Sequence, residues 1–126
     1  MSEDKRVDQR ISLKLKVAVV YHQHDDEATR PTYHGYTNDI SMGGFSVVVD
    51  YNIFNEGEVT VLFAIPPEHP GGQQRVVEAT AKMIYTVHSS DHNAFRIGMV
   101  FREFKRNGKA LLNETMERRS FKYNFA

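Results

Sequence analysis

The sequence predicts an all-β fold with a terminal helix: a six-stranded antiparallel β-barrel followed by a C-terminal α-helix. Three observations lead there. Apolar residues alternate with period two in several long segments. The connectors between them are short and rich in turn residues. Helical spacing of apolar residues appears only near the end. A chain of 126 residues suits one domain with a single core.

In "LKLKVAVVY", Leu13, Leu15, Val17, Val19 and Tyr21 share one face while Lys14 and Lys16 point the other way. Segments near 33–41 and 44–49 supply two further strands. "EVTVLFAIP" aligns Val59, Val61, Phe63 and Ile65. In "VVEATAKMIYTV", Val77, Ala79, Ala81, Met83, Tyr85 and Val87 fall together, opposite Glu78, Thr80 and Lys82. "AFRIGMVFR" puts Phe95, Ile97, Met99 and Phe101 inward and Arg96 and Arg102 outward. The connectors "NEG", "PPEHPGGQQ" and "SSDHN" are too short for the crossover helix that a parallel sheet needs. A small antiparallel sheet that closes on itself loses its exposed edges. Leu111, Leu112, Thr115, Met116 and Arg119 then form a helical stripe able to cover the open end, with an irregular start at Gly108. The expected organisation is a flexible N-terminal arm at 1–11, a barrel at 12–103, and a helix and tail at 104–126, within one domain.

Composition excludes several function classes. Lysine plus arginine equal aspartate plus glutamate at 16 each, so no global field draws in DNA, RNA or membrane. A bound anion must be held by a local cluster. The absence of cysteine excludes a disulfide scaffold, a thiolate metal site and a cysteine nucleophile. No apolar run has the length of a bilayer span, and the charged start "MSEDKRVDQR" does not resemble a signal peptide. The expectation is a cytoplasmic protein without membrane insertion, a monomer or weak homodimer.

Two stretches could carry chemistry. The first is "TNDISMGGFSVVVD". If residues 36 to 41 are extended, Asp39 and Ser41 project from one face and Ile40 points to the core. Gly43 and Gly44 then permit positive φ and, lacking Cβ, close approach of a flat ligand to the backbone. A carboxylate accepts paired hydrogen bonds from adjacent N–H groups such as the N1 and N2 edge of guanine. The same residues also suit a tight turn in which Asp and Ser side chains bond their own backbone. The second stretch is "KRVDQR", with Arg6 and Arg10 four apart. Arginine forks onto phosphate or onto guanine O6 and N7, whereas the alternative is a solvated terminus.

Together and in this order, the two elements resemble a known family. RxxxR as Arg6-Val7-Asp8-Gln9-Arg10, then DxSxxG as Asp39-Ile40-Ser41-Met42-Gly43-Gly44, looks like the signature of the PilZ domain, whose members are bacterial receptors for cyclic di-GMP built on a six-stranded barrel. Gly57 before a strand, Gly98 with Phe101 in "RIGMVF", and the terminal helix extend the match. The resemblance implies that Arg6 and Arg10 hold guanine and phosphate from the arm. Asp39 and Ser41 would take the guanine edge, while Gly43, Gly44 and Gly98 belong to the ligand wall. Lys5, just before RxxxR, is basic as in members that bind an intercalated ligand pair. No cofactor is implied. The implied role is a non-enzymatic effector in motility or biofilm signalling that relays the messenger to a downstream protein by ordering its arm. The alternative is a PilZ-fold adaptor that has lost the ligand and works through protein contacts.

Other readings carry less. "HQHDDE" places His22 and His24 on one side with Glu27 following, the residue types of a metal site. His22, however, shares the outward face of Lys14 and Lys16, so a solvated hairpin loop is the better account. Ser41 lacks a nucleophile-elbow context and an assignable base, which argues against catalysis. An RNA-binding barrel would show a basic, aromatic stripe. The alternating aromatics of the tail, Phe121, Tyr123 and Phe125, suit either docking on the barrel or a partner surface.

Overall fold

In the computed structural model, which describes residues 10–22, 31–90 and 93–125, six strands close into a barrel and a helix follows. In chain order the elements are β1 (Lys16–Tyr21), β2 (Thr32–Ile40), β3 (Gly44–Val49), β4 (Glu58–Ile65), β5 (Arg75–Ser89), β6 (Ala94–Phe104) and α1 (Gly108–Phe125). Around the ring the order is β1-β2-β3-β6-β5-β4, with β4 returning to β1 and every pairing antiparallel.

Alternation fills the interior as the sequence predicts. Val17, Val19, Val61, Phe63, Val77, Ala79, Ile97 and Met99 all lie inside. Phe45 packs edge-on against Phe63, their ring centroids 5.0 Å apart, and Phe101 carries the aromatic row on to Phe104 at 4.6 Å. The helix buries Leu111, Leu112, Thr115 and Met116 against this core. Partway along, the helix is tied to the β4–β5 connector, where Arg118 reaches Glu68 at 3.0 Å.

The inward row of β5 ends earlier than alternation suggests. A bulge between Met83 and Tyr85 turns the strand over, so Met83 still faces Met99 inside while Tyr85 comes to lie opposite Gly98. Tyr85 and Val87 are therefore outside, 38% and 46% exposed. Expecting them in the core is corrected by that one inserted residue. A second bulge, between Thr37 and Asp39, interrupts β2 at Asn38. These two irregularities fall in register with each other across β3 and β6, and a third shift lies between Thr80 and Ala81 on β5.

Candidate functional site

Thr37 is the point from which the site is built. Its buried hydroxyl accepts from Leu15 N at 2.8 Å and donates to Leu13 O at 2.6 Å, and its own N–H donates to Leu15 O at 2.9 Å. Further along, Ile11 and Ile40 exchange two backbone hydrogen bonds of 2.9 and 3.0 Å. The segment leading into β1 is thus laid along the outgoing half of β2. Arg10 emerges from it beside Asp39, and its Nη1 donates to Asp39 Oδ1 at 2.8 Å. Ser46 Oγ donates to the same oxygen at 2.9 Å. Oδ2 makes no hydrogen bond among the described residues. The pair is half-exposed, so its own contribution to stability is at most about 1 kcal/mol.

The register extends this pair into a row across four strands. Asp39 pairs with Ser46, Ser46 with Gly98, and Gly98 with Tyr85. A Cβ on Gly98 would stand 2.1 Å from the Tyr85 ring, so the ring lies directly on the glycine. Cation, carboxylate, a covered hydroxyl and an aromatic face follow one another on the outward side of the wall, Ser46 itself being buried. Sequence reasoning missed Ser46 and Tyr85. A glycine inside a strand marks a close approach, and that signal could have been followed to an aromatic on the neighbouring strand.

Ser41 does not stand beside Asp39 on this wall. Strand β2 ends at Ile40, so alternation no longer applies at Ser41, and its side chain turns back into the connection to β3. Its buried Oγ lies 3.2 Å from Gly43 N and 3.2 Å from Gly44 N. Its N–H donates to Gly44 O at 2.8 Å. The expected pair of side chains is corrected to an acid on the wall and a hydroxyl holding a turn. The two glycines are corrected likewise, since neither has a positive φ. Gly44 is glycine because a Cβ there would meet the Met99 carbonyl oxygen at 2.4 Å, where β3 approaches β6. Gly43 accepts from Phe101 N at 3.0 Å.

Lys5 and Arg6 lie outside the described residues, as do His24 and Glu27. His22 Nε2 is 2.5 Å from Thr60 Oγ1, and no group of three potential metal ligands occurs among the described residues. Burial, with a contribution from Tyr33, pushes the Tyr21 hydroxyl up to about 12. No helix among the described residues is long and apolar enough to cross a membrane.

Residues 4–118 match the family model described as PilZ domain. Among curated proteins nothing matches. Among solved structures the chain is similar to the Bacillus subtilis inhibitor of motility (MotI/DgrA), with a TM-score of 0.70 and 18% identity over 97% of this chain. It spans 54% of that protein's chain, about half its length.

Proposed function

The chain belongs to the PilZ domain family, and from that premise we propose that it is a non-enzymatic receptor for cyclic di-GMP. The observation that carries this reading is the meeting of Arg10 and Asp39 at 2.8 Å across 29 residues of sequence. One is the second arginine of RxxxR, the other the acid of DxSxxG. A guanine edge suits Asp39, whose Oδ2 makes no hydrogen bond among the described residues, and the Tyr85 ring offers a base a face to stack on. Arg10 supplies a fork for phosphate or for guanine O6 and N7.

In this mechanism the ligand competes with Asp39 for the Arg10 guanidinium. Arg6 and Lys5 close over it, Lys5 favouring an intercalated pair, and the ordered arm becomes a new surface for a downstream protein. Ser41, Gly43 and Gly44 contribute by holding the turn that sets Asp39 and Ser46 side by side. The solved neighbour is an inhibitor of motility. At its level of identity the likeness carries the fold alone.

Titration calorimetry with cyclic di-GMP tests the proposal. Saturable binding by the unmodified chain, severely weakened in Arg6→Ala and in Arg10→Ala, is the expected result. A chain that takes up no ligand would instead be an adaptor working through protein contacts alone.

A further inference from the structure

The same wall carries a second row that neither motif touches. Tyr36 pairs with Val48, Val48 with Arg96, and Arg96 with Val87, across the same four strands. Along β3, β6 and β5 this row is two residues from Ser46, Gly98 and Tyr85, a separation of about 7 Å. On β2 it is three residues from Asp39, because the bulge inserts Asn38 between them. Tyr36, Val48 and Val87 are 43%, 37% and 46% exposed, an unusual run of apolar surface on an outer face.

Arg96 stands in the middle of that run. It is exposed, and no acidic side chain lies within ion-pairing distance of it among the described residues. A cleft of about 420 Å³ opens there, lined by Asn38, Val48, Val87, Ser89, Phe95 and Arg96 among others. Its floor is mostly aliphatic, and its polar side chains are one guanidinium, one amide and one hydroxyl. Such a surface suits a flat heteroaromatic ring lying on Val48 and Val87. A guanidinium at its edge can fork onto the O6 and N7 acceptors of a purine.

We infer that this cleft is a second purine subsite, in which Arg96 and the Val48–Val87 floor take a guanine base of a ligand whose other base is held at Asp39 and Tyr85. The inference rests on the cyclic di-GMP reading and extends it to residues outside both motifs. It accounts for a cation with no acidic partner among the described residues and an exposed aliphatic strip at the same place. Their distance from Asp39 is one that a cyclic dinucleotide, or an intercalated pair of them, can span.

Calorimetry with cyclic di-GMP on the full chain, comparing the unmodified protein with four variants, tests this. Arg96→Ala should weaken binding about 10–100-fold, and Arg96→Lys should fall between, since it keeps the charge and loses the fork. Val48→Asp should weaken binding as well, by setting an anion on the floor. Val76→Asp, on a more exposed valine at the opposite end of β5, should leave it unchanged. All these positions are at the surface, and melting curves for each variant verify the fold. If the unmodified protein binds and both Arg96→Ala and Val48→Asp bind equally well, the subsite is overturned and the receptor reading stands. If the unmodified protein does not bind, both fall together.

Discussion

Gly98 and Tyr85 face each other across β6 and β5 so closely that a single methyl group on the glycine would overlap the phenol ring, at 2.1 Å. Gly44 is equally crowded, but by backbone, with the Met99 carbonyl oxygen 2.4 Å from where its Cβ would be. The two obstacles differ in what can yield. Tyr85 is partly exposed and can swing outward, whereas a carbonyl in a paired strand cannot.

Gly98→Ala is therefore expected to cost about 1 kcal/mol, and Gly44→Ala about 3 kcal/mol or more. Adding Tyr85→Ala should recover most of the Gly98→Ala loss. Denaturant melts of the four variants measure this, and strict additivity of the Gly98 and Tyr85 changes would contradict the contact.

Arg10→Ala and Asp39→Ala should each leave stability within about 1 kcal/mol of the unmodified chain, because their ion pair is solvent-exposed. Each should weaken cyclic di-GMP binding about 10-fold or more, the loss expected for a charge-assisted contact to ligand. His22→Ala should leave binding intact, as its ring is engaged with Thr60 on β4. Equal ligand affinity in all three would remove the pair from the site.

Thr37→Val keeps the volume and removes the hydroxyl that ties Leu13 and Leu15 to β2. A buried donor and acceptor left unpaired cost about 1–3 kcal/mol, and Thr37→Ser should restore most of it. Because the same bonds aim Arg10 at Asp39, ligand affinity should fall in Thr37→Val although Thr37 touches no ligand. Unchanged stability would show that water replaces the hydroxyl.

The raised Tyr21 hydroxyl gives a pH prediction. Above pH 10 the unfolded chain ionises at this tyrosine while the folded chain keeps its proton, up to about 12. The unfolded state then binds fewer protons, so stability falls as pH rises. The contribution is fully present below pH 10 and is lost as pH rises from 10 to about 12. Tyr21→Phe should flatten that fall in melts across the alkaline range.

The strands and their inner faces were legible because alternation survives wherever pairing is regular: Val59 to Ile65 and Leu13 to Tyr21 fall where period two puts them. What alternation cannot register is one added residue. Asn38 and the bulge near Ile84 leave composition unchanged, yet the latter moves Tyr85 and Val87 from the expected core to the outer wall. The motif spacing named Arg10 and Asp39, and the fold brings them together. Spacing alone could not separate Asp39 from Ser41, since that depends on β2 ending at Ile40. Ser46 and Tyr85 carry no motif of their own and join the row only through register.

The closure of β4 onto β1 limits how this protein can be recognised. Each strand of the ring has a neighbour on both sides. Where β5 outruns β4 beyond Lys82, the segment from Asn52 to Asn55 lies alongside, through Thr86 and Met83. Among the described residues, a peptide seeking to extend the sheet finds the ladders occupied wherever neighbouring strands run together, and backbone edge is left only where one strand outruns the next, as at the end of β5. Recognition must then be written in side chains, on surfaces that can be altered by substitution without disturbing the hydrogen-bonded cylinder beneath. One cylinder can thus serve unrelated clients, each distinguished by the paint on its outside.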